Sequence, residues 1–277
     1  MSISAQDFDF VRRLVYSQAG IVVEPGKEYL VESRLGPLCR RENLDSIEAL
    51  VGRLRSTTFQ PLTKKLVDAM TTNETMFFRD VEPFEALRKH VLPELIAARR
   101  GVRRLNIWYA ASSTGQEPYS VSMLIRSEFP ELAGWDITQL ATDISPTVLQ
   151  RAREGRYSQL EVNRGLPVKH LVTWFTKHGN DWQLKDEIRR MVTFEELNLT
   201  RPWPMTTPFD IVMLRNVMIY FDTDAKRDIL RRVGGVLRPD GFLFLGGAES
   251  PMNLDDSFDR QQFERAGCYR LKQQQTA

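Results

Sequence analysis

The sequence is poor in residues that bind metals or form disulfides, and it has almost no net charge. Its 277 residues include two cysteines and three histidines, and Cys39 and Cys268 lie too far apart for a metal-type or disulfide-rich pattern. The formal charge of +2 provides no overall field toward nucleic acid or anionic lipid. We therefore expect no metal site and a reducing cytoplasm.

Long apolar runs are also missing. No uncharged stretch approaches the ~18 residues of a membrane span, and Asp7, Asp9, Arg12 and Arg13 stand where a signal peptide would be apolar. Apolar residues make up 42% and charged residues 27% of the chain, which is ordinary for a globular protein. The composition predicts a folded cytoplasmic protein without membrane insertion.

Residues 1–70 have the pattern of short helices and no strand signal. Ser4 is placed to cap a first helix that ends near Gly20, and apolar residues recur at helical spacing in the segments that follow. Gly36-Pro37 falls inside the second of these segments, and proline disrupts helix interiors. We expect a small helical domain whose second helix is kinked or ended there.

From about residue 104 the pattern changes to alternating strands and helices. Predicted strands cover 105–110, 137–141, 209–214 and 241–245, and predicted helices cover 119–129, 145–153 and 222–237. This alternation is typical of a doubly wound parallel sheet. Residues 156–195 do not fit it, because they hold a turn at 178–181 between short runs, and we interpret them as an inserted β subdomain with a hairpin.

Ligands of such sheets bind beyond the carboxyl ends of the strands, so the first two strand-following loops are the candidates. The loop over 111–118 has one glycine, Gly115, where a dinucleotide fingerprint has three; a plain strand-to-helix turn is the alternative. Asp143 follows the second strand, where it would accept hydrogen bonds from a ribose diol or cap the next helix. With the turn and strand over 237–243, the layout resembles S-adenosylmethionine-dependent methyltransferases, which favours ribose.

Three longer segments sharpen the resemblance. Their sequences are Thr-Thr-Asn-Glu-Thr-Met-Phe-Phe-Arg over 71–79, Ala-Ser-Ser-Thr-Gly-Gln-Glu-Pro-Tyr-Ser over 111–120, and Leu-Arg-Asn-Val-Met-Ile-Tyr-Phe over 214–221. In this order they resemble the chemotaxis receptor methyltransferases, the CheR family, over nearly the whole chain. The resemblance implies an α/β Rossmann-like methyltransferase domain over 91–277 with the inserted antiparallel β subdomain, a linker over 71–90 that contributes to the cofactor site, and the all-helical domain over 1–70.

The resemblance also implies the activity and the site. The reaction would be methyl transfer from S-adenosyl-L-methionine, without a metal, to glutamate carboxylates on the cytoplasmic helices of chemoreceptors, leaving S-adenosyl-L-homocysteine. The implied catalytic residues are Arg79 and Tyr220, and the implied cofactor-binding residues are Asn73, Thr75, Arg79, Glu117, Asp143, Asn198, Leu199, Arg215 and Asn216. Gln116 departs from relatives that carry a second acid there. Without the resemblance, Arg215 could be a structural ion-pair partner, and Tyr220 would be interpreted as a core tyrosine.

The residue types agree with this chemistry. A glutamate with an ordinary pKa of about 4.3 is already a nucleophilic carboxylate at neutral pH, so the reaction needs no dedicated base. For the receptor, two basic surfaces are candidates: Lys27, Arg34, Arg40 and Arg41 in the helical region, and the inserted region, which carries +4 over 151–192. The turn at 178–181 is short for pentapeptide tethering, which we regard as doubtful, and we expect a monomer.

Two other functions stay open on the sequence alone. One is a methyltransferase for amines or nucleic acid, although the segment over 215–220 lacks the Pro-Pro-aromatic turn common in amine enzymes and the charge is low for a nucleic-acid enzyme. The other is a catalytically silent binding module on the same fold, against which the presence of both Arg79 and Tyr220 argues.

Overall fold

The computed structural model describes residues 3–56, 60–263 and 266–272. The chain divides into two compact units, one formed by Met1–Thr72 with Tyr220–Ala225 and one by Asn73–Ile219 with Lys226–Ala277. Within the described ranges, no helix is both long enough and apolar enough to cross a bilayer.

The first unit contains a bundle of amphipathic helices. Its helices are α1 (Ala5–Ala19), α2 (Glu28–Arg41), α3 (Ile47–Ser56) and α4 (Gln60–Met70). The side chain of Ser4 accepts a hydrogen bond from the backbone N–H of Asp7, and Gly20 ends α1 with φ of 68°, as the sequence predicts. The core includes Leu35, Leu50 and Leu66.

The alternative that α2 ends at Gly36-Pro37 is wrong, because the helix continues to Arg41 with Pro37 inside it. An interior proline removes a backbone hydrogen bond and costs about 3 kcal/mol in an exposed helix. Leu35 and Leu38 on either side of it are fully buried, and burial of this apolar face offsets that cost.

The second unit is built on a mixed sheet. Within the described residues the sheet has seven strands in the order β6-β2-β1-β7-β8-β10-β9. Their bounds are β1 (Arg104–Ala110), β2 (Asp136–Asp143), β6 (Thr193–Glu196), β7 (Phe209–Leu214), β8 (Leu237–Leu245), β9 (Phe258–Phe263) and β10 (Ala266–Leu271). β6, β2, β1, β7 and β8 pair in parallel, and β10 pairs antiparallel with β8 and with β9. This is the Rossmann-like arrangement that the sequence predicts.

Helices connect and cover the strands. They are α5 (Val81–Ala86), a π-helical turn (Leu87–Val91), α6 (Leu92–Arg99), α7 (Gln116–Glu128), a 3₁₀ turn (Pro130–Leu132), α8 (Pro146–Glu154) and α12 (Thr223–Val236). Asp222 accepts a hydrogen bond from the backbone N–H of Ala225 at 2.8 Å and so caps α12. Every residue of β7 is buried, as expected of a central strand covered on both faces.

The turn predicted over 238–241 lies inside β8 as an irregularity. Phe209 pairs with Leu237 and Ile211 with Phe242, so the β8 side has extra residues that bulge out of the ladder. At this end of the sheet the buried Asp210 carboxylate accepts a hydrogen bond from Arg99 at 2.8 Å and lies 3.2 Å from the Arg238 guanidinium. The negative charge of Asp210 is therefore balanced by Arg99 and Arg238 near the start of β7, away from the carboxyl ends of the parallel strands.

The inserted region forms its own small antiparallel sheet. Its elements are β3 (Arg156–Ser158), α9 (Gln159–Asn163), α10 (Val168–Trp174), β4 (Phe175–His178), β5 (Asp181–Leu184) and α11 (Asp186–Arg189). The strands pair in the order β3-β5-β4, and β4 and β5 form the predicted hairpin. The run at 191–194 belongs elsewhere, because β6 pairs in parallel with β2 at the edge of the main sheet.

The inserted subdomain holds the segment that precedes α5. Gly165 (φ 81°) approaches this segment so closely that a Cβ there would lie 2.1 Å from the carbonyl oxygen of Phe77. The Phe77 ring packs edge-on against Tyr157, with centroids 5.0 Å apart, and His170 stacks on Phe78. These contacts fix the segment that carries Asn73 to Arg79.

Candidate functional site

The candidate residues of the second unit collect around the carboxyl ends of β2, β1, β7 and β8. The loop after β1 makes the tightest turn there, because Ala111, Ser113 and Gly115 all have positive φ, at 61°, 50° and 90°. A Cβ on Gly115 would lie 3.0 Å from that of Ala152. Gly115 therefore allows close packing of the start of α7 on α8, and the loop that it ends also holds Ala111 and Ser113 in a conformation uncommon for non-glycine residues.

Asp143 ends β2 with its carboxylate turned toward the first loop. One oxygen accepts the backbone N–H of Ser113 at 2.9 Å and the other accepts that of Ser145 at 3.0 Å. The cap of α8 is Ser145, whose hydroxyl accepts the N–H of Val148 at 3.2 Å. The N-cap alternative for Asp143 is thus excluded. The two backbone bonds hold the carboxylate at the end of β2, next to the loop after β1.

The linker meets this loop through Asn73. The carbonyl oxygen of Asn73 accepts a hydrogen bond from the Ser113 hydroxyl at 2.9 Å. Further along, the backbone N–H of Phe78 donates to Ser120 at 3.0 Å. Thr75 lies between these contacts and is half-buried. The structure therefore brings the linker, the first loop and Asp143 together.

Arg215 is the buried hub between the linker and α7. Its side chain is 1% exposed and pairs with Glu117 and, at 2.9 Å, with Asp80. The same guanidinium donates to the carbonyl oxygen of Arg79 at 2.9 Å. The ion-pair interpretation of Arg215 is confirmed, and Asp80 is a partner that the sequence reasoning missed. Asp80 has φ of 55°, so this network holds a strained turn.

The guanidinium of Arg79 itself is not part of that network. It donates to the carbonyl oxygen of Glu74 at 3.0 Å. Among the residues with described positions, no carboxylate forms an ion pair with it. Arg79 and Arg215 thus differ: Arg215 is paired with Glu117 and Asp80, whereas Arg79 is half-buried and has no ion-pair partner among the described residues.

The segment after β6 lies beside Asp143. The backbone N–H of Leu197 donates to the carbonyl oxygen of Asp143 at 2.9 Å. Asn198 closes a tight turn by accepting from the N–H and hydroxyl of Thr200 at 2.9 and 2.8 Å, and Leu199 is buried. The segment therefore offers a buried apolar side chain and a polar one close in the chain to the contact with Asp143, a combination typical of ligand pockets.

The loop after β7 is organised by a residue that the sequence reasoning missed. Glu249, after β8, accepts the backbone N–H groups of Asn216 at 2.7 Å and Met218 at 2.8 Å. The apolar run Val217-Met218-Ile219 predicts a buried strand end. Instead Met218–Tyr220 form a 3₁₀ turn, in which Met218 is buried and Ile219 is 52% exposed. The position of Glu249 was the signal that the sequence reasoning overlooked. Glu249 lies just after β8, at the same end of the sheet as Asp143, which is the last residue of β2.

Tyr220 is grouped with the first unit. Its carbonyl oxygen accepts the backbone N–H of Val22 at 2.9 Å. The other candidate catalytic and cofactor-binding residues belong to the second unit.

Burial governs the tyrosines beneath the site. Desolvation raises the pKa of Tyr109, and the charge of Glu117 raises it further. Burial likewise raises the pKa of Tyr157, whose hydroxyl donates to the carbonyl oxygen of Thr114 at 2.7 Å. These phenols are neutral structural donors and supply no base. Burial also lowers the pKa of His170, which keeps the ring on Phe78 neutral at pH 7.

The donor set fits a nucleoside cofactor better than a metal. No group of three or more His, Cys, Asp or Glu side chains in the described ranges is suited to a metal ion. The hydroxyl of Ser112, beside Asp143 in the first loop, is buried and has no hydrogen-bond partner in the described part of the chain. A buried hydroxyl without a partner is costly, and a polar ligand in this loop would satisfy it.

Two family profiles and several relatives match the chain. The family profile described as "CheR methyltransferase, SAM binding domain" matches residues 73–266, and "CheR methyltransferase, all-alpha domain" matches residues 6–71. The chain is 44% identical to chemotaxis protein methyltransferase 1 of Pseudomonas aeruginosa, covering 98% of this chain and all of that protein. It is 40% identical to a chemotaxis protein methyltransferase of Pseudomonas putida, covering 98% and 100%. The chain therefore belongs to the CheR family of S-adenosylmethionine-dependent chemotaxis methyltransferases.

Proposed function

We propose that this protein transfers the methyl group of S-adenosyl-L-methionine to glutamate side chains on the cytoplasmic helices of chemoreceptors, as a protein-glutamate O-methyltransferase. The relatives named above are chemotaxis protein methyltransferases, and a methyl ester on glutamate fits the charges of the site. On this proposal the protein works in the cytoplasm on methyl-accepting receptor domains, as a monomer.

The observation that carries the proposal is the contrast between Arg79 and Arg215. Arg215 is neutralised by Glu117 and Asp80. Arg79, which precedes Asp80 in the linker, donates a hydrogen bond to the backbone carbonyl of Glu74 and forms no ion pair with the described carboxylates. A guanidinium offers a planar fork of donors that matches a carboxylate, so Arg79 is suited to orient an incoming glutamate or the carboxylate of the cofactor.

The other residues have binding and positioning roles on this proposal. Asp143 accepts hydrogen bonds from the ribose. Leu199 and Asn198 flank the adenine, Asn73 and Thr75 line the linker side, and Asn216 borders the cofactor with the Arg215–Glu117 pair. The cofactor supplies an electrophilic methyl group, and the substrate carboxylate is ionised at neutral pH. The protein then has to align the carboxylate and exclude water.

The type of bond formed decides between the candidate functions. The protein is incubated with methyl-labelled S-adenosylmethionine and a chemoreceptor cytoplasmic fragment, and the labelled fragment is then treated with mild base. We expect the label to leave as methanol, because carboxyl esters hydrolyse under these conditions. A receptor fragment with glutamine at the methylated positions is the matched control and should take up no label.

Two other outcomes would contradict the proposal. Label that is stable to base would indicate methylation of an amine or another atom. S-adenosylhomocysteine binding without any label on the fragment would favour a silent binding module.

Tyr220 is proposed as the catalytic tyrosine, with its hydroxyl hydrogen-bonded to the substrate carboxylate. For Tyr220→Phe we expect kcat to fall about tenfold, as for the loss of one hydrogen bond of about 1.4 kcal/mol to a charged group. The affinity for S-adenosylhomocysteine should stay within about twofold, and both are measured with the receptor fragment and by calorimetry.

Tyr16→Phe is the matched control for this hydroxyl deletion. The Tyr16 hydroxyl donates to Asp222 at 2.7 Å and has no proposed catalytic role, so its loss should leave kcat unchanged. Full activity of Tyr220→Phe would remove Tyr220 from the mechanism.

A further inference from the structure

The loop after β8 inserts an acidic side chain among backbone N–H groups of the loop after β7. Glu249 is 9% exposed. One carboxylate oxygen accepts the N–H groups of Asn216 and Gly246, both at 2.7 Å. The other accepts those of Met218 at 2.8 Å and Ile219 at 3.3 Å. Four backbone donors thus converge on one side chain.

This arrangement requires an anion. Each carboxylate oxygen has about two acceptor sites, and the four N–H groups fill them. In the described ranges, no Lys or Arg forms an ion pair with Glu249, so its charge is stabilised by backbone dipoles alone, as in anion-binding nests. The side chain therefore serves the backbone of 216–219 and not a neighbouring cation.

The two loops are also interlocked sterically. A Cβ on Gly246 would lie 2.6 Å from Nδ2 of Asn216 and 2.7 Å from a Glu249 carboxylate oxygen. Asn216 has φ of 56°, the left-handed region, which asparagine adopts more readily than most other non-glycine residues. The Glu249 carboxylate and the close approach of Gly246 favour this conformation of Asn216 over its alternatives.

We infer that Glu249 is a positioning residue for cofactor binding. It holds Asn216 in its left-handed conformation and thereby sets the direction of the neighbouring Arg215, which orders Glu117 and the linker through Arg79 and Asp80. Glu249 acts through these residues and does not itself touch the cofactor. The inference rests on the cofactor contacts proposed for Asn216 and Arg215.

Glu249→Gln tests the inference by keeping the shape of the side chain. The amide offers an oxygen to two of the N–H groups and turns its own N–H₂ toward the other two. We expect S-adenosylhomocysteine to bind about tenfold more weakly in calorimetry. The matched control is Asp255→Asn in the same loop, because Asp255 accepts only from Ser257; its Kd should stay within about twofold of the parent value.

The stoichiometry separates positioning from a purely structural role. A sample with an irreversibly misfolded fraction would bind with the parent Kd and a reduced number of sites. Reversible unfolding would weaken the Kd tenfold only if about nine-tenths of the chains were unfolded, which circular dichroism would show. The parent Kd with a reduced number of sites for Glu249→Gln would overturn the inference, whereas a weaker Kd with one site per chain supports it. The measurement needs no receptor, so a failure of the glutamate proposal would not affect it.

A second pair of variants decides the matter if Glu249→Gln does not fold. Gly246→Ala keeps the Glu249 side chain but places a Cβ against both Asn216 and the Glu249 carboxylate, and so disturbs their contact, whereas a Cβ on the adjacent Gly247 enters open space. We expect Gly246→Ala to bind S-adenosylhomocysteine at least about threefold more weakly than Gly247→Ala. Equal Kd values for the two alanine variants would overturn the inference.

Discussion

Replacing Asp143 with alanine is expected to weaken S-adenosylhomocysteine binding at least about 100-fold. Hydrogen bonds to a charged group contribute about 1.5–3 kcal/mol each, and the proposed ribose contact has two. The backbone N–H groups of Ser113 and Ser145 would also lose their acceptor, which loosens the loop after β1. Calorimetry gives both Kd and the number of sites, so a partly unfolded sample is recognised by its stoichiometry.

The control is at the other end of the same strand. Asp136 is exposed and pairs with Arg104 at 2.8 Å, and Asp136→Ala should leave Kd within about twofold of the parent value, since surface ion pairs contribute little. Asp143→Asn should lie between the two, because the amide retains one acceptor oxygen. Unchanged affinity of a one-site Asp143→Ala protein would refute the ribose role.

The sequence predicted the strands of the second unit because their signals are local. The residues of β7 lie between a proline and Arg215 and are apolar except for Asp210, and the predicted bounds of 209–214 are those observed. Residues 105–110 and 137–141 likewise lie inside β1 and β2. Buried parallel strands are apolar throughout, so periodicity and flanking residues suffice to find them.

The failures have non-local causes. Pro37 does not end α2 because burial of Leu35 and Leu38 in the first unit outweighs a local preference. The run at 191–194 was assigned to the inserted subdomain, yet β6 pairs with β2. The sequence of a four-residue strand does not indicate which strand it pairs with. The place of β6 in the sheet depends on its pairing with β2.

A residue at the end of a strand can be singled out from the sequence more easily than a group of residues that contact one another. Asp143 was singled out by its position at the end of the second predicted strand, and its role in cofactor binding stays a prediction. Asp80 and Glu249 were missed, because their partners Arg215 and Asn216 lie more than 30 residues away in the chain. Partnerships at such separations have no spacing rule that a single sequence shows.

Replacing Arg215 with methionine is the change with the largest expected effect on stability. Removing one partner of a buried ion pair costs about 3–5 kcal/mol, because Glu117 would remain without its counter-charge and the carbonyl oxygen of Arg79 without its donor. Denaturant unfolding measures this loss. The control is Arg88→Met, which breaks the partly exposed pair with Glu85 at 2.8 Å and should cost no more than about 1 kcal/mol.

Combining Arg215→Met with Glu117→Gln separates stability from function. With both charges gone, no buried carboxylate is left uncompensated, and we expect the double variant to recover at least about 2 kcal/mol over Arg215→Met alone. Binding of S-adenosylhomocysteine should not recover with it, because both side chains are proposed cofactor contacts and Asp80 and the linker have lost their hub. A double variant that regained parent affinity together with stability would show that the pair is structural alone, and the cofactor roles of Glu117 and Arg215 would have to be abandoned.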